Sequence, residues 1–362
     1  MEAFEGIFTR QHNETKGVRF KQYTYHLYVI YRQFYRTPRQ NMKLAQIMTV
    51  VFVACVLVSA VPASAATMNY KLGVQSGTTS DTYAADELAN AEVSGFDSID
   101  LAIEALKQGD VDFVLGDLPT LKFYQADSDG LSIAGSFSEE DFGIGVAPGE
   151  ADLLAAINVA LGEIIASGEY DTIFAATFGD EIVVLTDDTD ANTATEYPAD
   201  PTGALAAALE AGTIAFGTDP YYPPFESYDT DNTTVIGFDA DVADAIAAKI
   251  GAAYNNSDFS ATMVEKTWDD LLAFGYDNYD ATLSAMTKTA QRAENTDFSR
   301  AYYSSKQGIL ASAASPTITG VGDLNGTYDI ADAETEEDDS PSITVLASAL
   351  AIGLIAVSRR KN

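Results

Sequence analysis

The sequence predicts an α/β fold with parallel sheets, because short apolar strands alternate with amphipathic helices along most of the chain. Two stretches show this alternation, and a segment rich in Asp, Thr and Pro separates them. In both stretches polar residues come directly after predicted strands. Such positions share the carboxyl edge of an open parallel sheet, where ligands bind. The pattern therefore predicts two α/β lobes with a binding site at their sheet edges.

The first stretch begins with a predicted strand over residues 70–75. A helix stripe follows and ends at Gly109, a second strand covers residues 111–115, and a strongly amphipathic helix ends at Gly168. The second stretch has predicted strands over residues 213–217 and 280–284. Between them lie a helix closed by Gly251 and the start of one more helix at Trp268. Four polar clusters follow these strands: Ser76 to Thr79, Asp117, Asp219 to Tyr222, and Ser284 to Arg292.

The charge of the chain is strongly unbalanced, with 20 Lys and Arg against 54 Asp and Glu. Residues 67–340 contain 9 of the basic and 51 of the acidic residues. Such a surface repels nucleic acid and anionic lipid, so no nucleic-acid partner is expected. Screening by salt relieves the self-repulsion, which favours a halophilic or salt-tolerant source, with simple solubility as the alternative.

The only cysteine, Cys55, and the only histidines, His12 and His26, all precede residue 67. The body of the chain therefore has no disulfide, no Cys or Ser/His nucleophile and no His/Cys zinc site. We expect no cofactor and no metal. One weak exception is residues 322–333, which resemble a dockerin-type calcium loop but carry Thr327 where an acidic ligand is needed.

Both ends of the chain carry segments typical of export and anchoring. Residues 42–66 read as a signal peptide, because a charged start and an apolar run end in Ala-Ser-Ala. The basic, aromatic residues 1–41 are either the product of a mis-assigned start codon or a cytoplasmic tail. At the other end, an acidic linker (residues 327–342) precedes an apolar segment with a basic tail (343–362), which resembles archaeal cell-surface sorting signals. We expect an extracellular body held at the cell membrane by this segment, and a buried core helix is the alternative.

Five motifs resemble those of extracellular solute-binding proteins of family three, which serve the uptake of polar amino acids. They are GVQSGTT (73–79), GDVDFVLGD (109–117), GTDPYYPPF (217–225), GFDADVADAIAAKIG (237–251) and MTKTAQRAENTDFS (286–299). The resemblance covers most of residues 70–326. It implies a two-lobed, periplasmic-binding-protein-like fold of type II, with the ligand cleft between the lobes.

The lobes come in the reverse of the family's order, because the GVQSGTT lobe precedes the GTDPYYPPF lobe. The expected organisation is a second lobe (67–140), helices completing the first lobe (141–180), a linker (181–211) and the first lobe (212–326). In the family a D-L-x-G sequence directly precedes the GVQSGTT strand, and here Asp323-Leu324-Asn325-Gly326 stands near the end of the body. A circular permutation explains this order. The alternatives are a relic of a tandem array and an exchange of halves between two chains.

The resemblance also implies how an amino acid would be bound. Arg292 would pair with the ligand carboxylate, with Thr78 and Thr79 beside Gly77 adding donors from the opposite lobe. Thr78 and Thr79 are also suited to capping a helix.

The other groups of the ligand would meet residues of both lobes. Asp117 would pair with the ammonium group, helped by Thr287 and the Ala285 carbonyl, and Ser284 borders this loop. The remaining candidates surround the side chain of the ligand, with Tyr222 and Trp268 as aromatic walls and Asp219 at its far end.

Together with these residues, the resemblance implies the binding of a basic or amide amino acid by closure of two lobes, for delivery to an ABC importer. The expected partners are the free amino acid, the transporter permease and the membrane. The protein is expected to be a monomer, with a domain-swapped dimer as the alternative, and not an enzyme. The competing functions are an enzyme on the same fold, such as a cyclohexadienyl dehydratase, and a surface protein that has lost binding.

Overall fold

A computed structural model describes residues 67–181, 185 and 196–329. The predicted N-terminal extension, the signal peptide and the C-terminal anchor lie outside the described residues, as does most of the acidic linker.

The described chain contains helices and strands in alternation. The helices are α1 (Thr79–Glu87), α2 (Ile99–Gln108), α3 (Leu118–Asp127), α4 (Ala151–Ser167), α5 (Glu169–Phe178), α6 (Gly203–Ala211), α7 (Phe238–Ala253) and α8 (Trp268–Leu272). The strands are β1 (Thr67–Asn69), β2 (Lys71–Gln75), β3 (Glu92–Phe96), β4 (Phe113–Asp117), β5 (Leu131–Val146), β6 (Thr213–Thr218), β7 (Tyr221–Tyr222), β8 (Glu226–Tyr228), β9 (Val235–Ile236), β10 (Ser260–Glu265), β11 (Ala281–Thr282), β12 (Asp297–Ser312) and β13 (Thr327–Asp329).

One eight-stranded sheet, in the order β10-β6-β11-β5-β12-β4-β2-β3, passes through the whole body. Its two central strands, β5 and β12, pair antiparallel over 16 residues each. On one side β12 pairs antiparallel with β4, which continues into the parallel strands β2 and β3. On the other side β5 pairs antiparallel with β11, which continues into the parallel strands β6 and β10. Each half thus has three parallel strands beside one antiparallel strand, which confirms the two-lobed α/β fold.

We call the two halves the N-lobe and the C-lobe. The N-lobe comprises β2–β4, α1–α3, the start of β5 and the end of β12. The C-lobe comprises β6–β11, α4–α8, the end of β5 and the start of β12. The C-lobe core is rich in aromatic side chains, among which Phe142, Phe225, Phe238 and Tyr303 are almost fully buried and in mutual contact.

Two predicted helix ends are confirmed, and both depend on glycine. α2 ends at Gly109 with φ 80°, and α4 ends at Gly168 with φ 77°. These left-handed conformations are costly for residues with a Cβ, so glycine at the end of an apolar stripe is a strong local stop signal.

Other predicted boundaries differ from the structure. The strand predicted over residues 111–115 lies at Phe113–Asp117, and α7 continues through Gly251 to Ala253. At Gly251 a Cβ would lie 2.6 Å from the Asn256 carbonyl oxygen, so this glycine permits the close approach of the next loop and does not end the helix.

Two segments differ from the predicted domain organisation. Residues 203–211 of the predicted linker form α6, because Leu205 and Ala208 are buried in the C-lobe core. Residues 307–326 were predicted with the GTDPYYPPF lobe but pack on the N-lobe, where Leu324 is fully buried against the cluster around Tyr70.

The two ends of the described body lie side by side. β1 pairs antiparallel with β13, with Asn69 opposite Thr327 and Thr67 opposite Asp329. The aromatic rings of Tyr70 and Tyr328 are 4.9 Å apart between centroids. This contact joins the start and the end of the body within the N-lobe.

Among the described residues, no single helix is long and apolar enough to cross a membrane. Together, α4 and α5 meet the length and composition criteria as a pair, but they bend by 82° at their junction.

A substitution at Leu324 tests how much residues 307–326 contribute to the stability of the N-lobe. Leu324→Ala removes a fully buried side chain, so we expect the free energy of unfolding to fall by about 2–5 kcal/mol. Leu101→Ala is the matched control, because Leu101 is 48% exposed. Urea unfolding of both variants provides the measurement, and equal losses would show that residues 307–326 are not an integral part of the lobe.

Candidate functional site

The carboxyl ends of the parallel strands of both lobes face one cleft. It brings together residues that are far apart in the chain. Ten of the eleven predicted site residues line it: Thr78, Thr79, Asp117, Asp219, Tyr222, Trp268, Ser284, Ala285, Thr287 and Arg292. The eleventh, Gly77, lies at the rim and accepts a hydrogen bond from Arg292 through its carbonyl oxygen.

Arg292 extends from the C-lobe toward the N-lobe and is buried, with 8% of its surface exposed. Its Nη1 donates to the Thr287 carbonyl oxygen at 2.9 Å, and its Nη2 donates to the Gly77 carbonyl oxygen at 3.3 Å. The guanidinium carbon lies 5.2 Å from the centroid of the Trp268 ring, within the range of a cation–π contact. These contacts hold a planar cation in a fixed orientation at the wall of the cleft.

Asp117 faces the cleft from the end of β4 and is also buried. Its carboxylate accepts hydrogen bonds from the Tyr222 hydroxyl at 2.7 Å and from Gln307 Nε2 at 2.6 Å. Burial and the nearby Glu140 carboxylate raise the pKa of Asp117 to about 7, against the opposing effects of these hydrogen bonds and of Arg292. The group can therefore ionise near neutral pH when a cation enters the cleft.

Asp219 lies across the cleft, after β6. Its backbone N–H donates to Ser284 Oγ at 3.0 Å, and Ser284 Oγ donates to Glu226 Oε1 at 2.7 Å. Burial raises the pKa of Asp219 to about 6. Asp219 and Ser284 thus belong to one hydrogen-bonded network beneath the cleft.

A buried pair of carboxyl groups, Glu226 and Asp239, supports the Ser284–Thr287 loop. Asp239 Oδ2 accepts from the Ala285 backbone N–H at 2.8 Å and from the Tyr302 hydroxyl at 2.9 Å. Burial raises the pKa of Glu226 well above its ordinary value and that of Asp239 to about 7. The pair therefore keeps a proton at neutral pH, and it anchors Ala285 in the left-handed conformation with φ 42°.

Thr78 makes the helix-capping contact that its residue type suits, and two other predicted residues make contacts beyond those expected. Thr78 caps α1, because its hydroxyl oxygen accepts from the Asp81 backbone N–H at 3.3 Å. Tyr222, expected as an aromatic wall, also binds Asp117 through its hydroxyl, and Trp268 packs its ring on Arg292. The aromatic residues thus position the charged groups of the cleft as well as lining it.

Four further polar residues belong to the site and were not predicted from the sequence: Gln75, Glu140, Glu226 and Gln307. Gln75 ends a predicted strand within a quoted motif, and Glu226 directly follows another motif, so these positions could have identified them. Glu140 and Gln307 lie on β5 and β12, which were not predicted as strands, so no local signal placed them at the cleft.

Comparisons with known proteins agree with the motifs. Residues 214–359 match the family described as bacterial extracellular solute-binding proteins, family 3. The chain is similar to ABC transporter arginine-binding protein 1 of Escherichia coli (strain K12), with 31% identity over 99 residues, 27% of this chain and 37% of that protein. It is also similar to the arginine-binding extracellular protein ArtP of Bacillus subtilis (strain 168), with 32% identity over 113 residues, 31% of this chain and 41% of that protein.

A solved structure of the arginine-bound form of domain 1 from TmArgBP, a Phe57Trp mutant in its own numbering, is 27% identical and covers 30% of this chain and 84% of that one, with a TM-score of 0.25. The matched regions span about two fifths of the length of the two curated relatives. The resemblance to solute-binding proteins of family 3 is confirmed by the family match and these relatives.

The buried carboxyl groups predict an unusual pH dependence of stability. Asp117, Asp219 and Asp239 have raised pKa values in the folded protein, so the folded state binds more protons than the unfolded chain between about pH 4 and pH 7. The free energy of unfolding should therefore fall as the pH rises through this window, by up to about 4 kcal/mol for Asp117 alone.

Urea unfolding in high salt at several pH values measures this slope. Asp117→Asn should flatten it, whereas Asp129→Asn, which changes an exposed carboxylate on a loop, should not. Identical slopes for wild type and Asp117→Asn would contradict the assignment of a buried, partly protonated Asp117.

Proposed function

We propose that the cleft binds a basic or amide amino acid by closure of the two lobes and that the protein delivers it to an ABC importer. The observation that carries this proposal is the pairing of Arg292, from the C-lobe, with Asp117, from the N-lobe, in one cleft. A free amino acid has a carboxylate and an ammonium group on one carbon, and burying either alone is costly. A guanidinium and a carboxylate on opposite walls match both groups.

The same arrangement supports closure of the two lobes around the ligand. Several hydrogen bonds cross between the lobes, including Tyr222 to Asp117 and Arg292 to the Gly77 carbonyl oxygen. The two lobes are joined by β5 and β12, which supports a hinge between them. A ligand that contacts Arg292 and Asp117 together favours the closed arrangement.

Asp219 and Trp268 support a polar side chain on the ligand. Asp219 lies in the cleft apart from the Arg292 contacts, and its carboxylate suits a basic or amide group. The relatives named above carry names that describe arginine binding, which agrees with this choice.

The lobe order is part of the proposal. The pairing of β1 with β13 places Lys71 close to Gly326, the two positions that are adjacent in the family's usual order. We propose that the chain is a circular permutant that closes its own cleft as a monomer. A relic of a tandem array and an exchange of halves between chains remain the alternatives, and the mass of the protein in solution separates the last of these.

The proposed location is extracellular, after cleavage of the signal peptide, with the body held at the membrane through residues 343–362. The transporter permease is the proposed partner.

A second candidate function is that of a periplasmic-binding-fold enzyme such as a cyclohexadienyl dehydratase, which would need a carboxylic acid in the cleft. Glu226 keeps a proton there, but it is fully buried and directed to Ser284 and Asp239. We therefore favour binding without catalysis, and turnover of prephenate-like substrates would reverse this choice.

Arg292→Ala tests the carboxylate assignment. Removing one partner of a buried charge pair costs about 2–5 kcal/mol, so calorimetric titration with arginine should show a loss of affinity of about 30-fold to several thousand-fold. Arg300→Ala is the matched control, since Arg300 is not among the residues that line the cleft, and it should bind as wild type does. Unchanged affinity in Arg292→Ala would exclude Arg292 as the carboxylate partner.

Asp219→Ala tests the side-chain assignment. We expect the order of affinities among arginine, lysine and glutamine to change, with basic ligands losing most, because a buried carboxylate that faces their charge is removed. Asp258→Ala, in an exposed loop before β10, is the control. Competition titrations against one reference ligand give the ranking, and an unaltered ranking would refute a role for Asp219 in ligand choice.

A further inference from the structure

Glu140 occupies an unusual position between the lobes. It lies on β5 opposite Ser305 of β12, and its side chain is half-buried. One of its oxygens, Oε2, accepts three hydrogen bonds, from Thr287 Oγ1 at 2.7 Å, Thr79 Oγ1 at 3.0 Å and Gln307 Nε2 at 3.0 Å. The carboxylate of Glu140 therefore joins a donor of the N-lobe to a donor of the C-lobe.

These donors overlap with those proposed for a ligand. Thr79 and Thr287 line the cleft beside Arg292, and their hydroxyl protons point to Glu140 in this arrangement. The negative charge of Glu140 also acts on Arg292, where it opposes the lowering of the arginine pKa by burial. Glu140 thus accepts from the Thr79 hydroxyl that a carboxylate of the ligand would otherwise use, and it also accepts from the Thr287 hydroxyl, which was expected beside the ammonium group.

The charges around the cleft also favour a cationic ligand without a carboxylate. Among the described lining residues Arg292 is the single cation, whereas Asp117, Asp219 and the adjoining Glu140 are carboxyl groups. A ligand with two ammonium groups and no carboxylate would place one charge at Asp117 and the other at Asp219. An amino acid brings a further carboxylate, which has to compete with Glu140 for the Thr79 hydroxyl.

We propose that Glu140 stands in for a ligand carboxylate, so that the cleft accepts linear alkyl diamines as well as basic amino acids and binds the amino acids less tightly than it would without Glu140. The inference rests on the proposed function, because it uses the same cleft. It adds a specificity-determining residue on the hinge strand and a second class of ligand.

Lysine and 1,5-diaminopentane form a matched pair of probes, since they differ only by the carboxylate. Both are titrated calorimetrically into the full chain as wild type, Glu140→Gln and Glu139→Gln. Glutamine keeps the size of the side chain and removes its charge. Glu139 is the control, because it lies on the same strand but its side chain is 80% exposed and pairs with Lys306 at the surface.

The two ligands should respond in opposite directions. In Glu140→Gln we expect lysine to bind at least about tenfold more tightly, because its carboxylate no longer competes with the charge of Glu140 for Thr79. We expect 1,5-diaminopentane to bind at least about tenfold more weakly, because Arg292 then loses the negative charge of Glu140 and the ligand brings no carboxylate to replace it. In Glu139→Gln both affinities should stay within about twofold of wild type.

Three results would overturn the inference. Weaker binding of lysine by Glu140→Gln would make Glu140 a direct partner of the amino acid. Binding of lysine but not of 1,5-diaminopentane by the wild type would exclude the diamine class and leave the proposed function intact, and this result needs no variant to fold. Absence of binding by either ligand, together with every amino acid, would instead remove the proposed function itself.

Discussion

The antiparallel pairing of β5 with β12 is the constraint on which the rest of the structure depends. Each strand starts in one lobe and ends in the other, so one sheet runs through both lobes and the carboxyl ends of its parallel strands face the same cleft. Gly77 and Arg292, which are 215 positions apart in the chain, come into hydrogen-bonding distance for this reason. The same two strands also carry Glu140 and Gln307, which link the polar groups of both lobes.

In the cleft, each of the two buried charged groups, Arg292 and Asp117, is stabilised by several partners. Arg292 is oriented by two carbonyl oxygens and an aromatic ring, and Asp117 by a tyrosine and a glutamine. Glu226 and Asp239 keep a proton, which removes one of two like charges and leaves an acceptor for the Ala285 backbone. Arg292 and Asp117 thus have defined partners before any ligand is considered, and the surplus of carboxyl groups in the cleft favours a cationic ligand.

The sequence predicted those parts of the fold that depend on local signals. The ends of α2 and α4 followed from apolar stripes that stop at Gly109 and Gly168, since a left-handed residue closes each helix. The long strands β5 and β12 were not predicted, because their stability comes from pairing with each other and their burial pattern does not alternate strictly. Most of the cleft residues came from motifs, whereas Glu140 depends on a non-local contact. Gly251 shows the limit of a local rule, because there the glycine serves a close approach and not a helix end.

The central claim is that one chain builds a complete amino-acid cleft from lobes in reversed order. The most direct test is a calorimetric titration of the purified monomer, in high salt, with each of the twenty amino acids. Saturable binding of a basic or amide amino acid, with one ligand per chain, is the result that the structure predicts. A folded monomer that gives no binding heat with any of the twenty, and no thermal stabilisation by them, would contradict it.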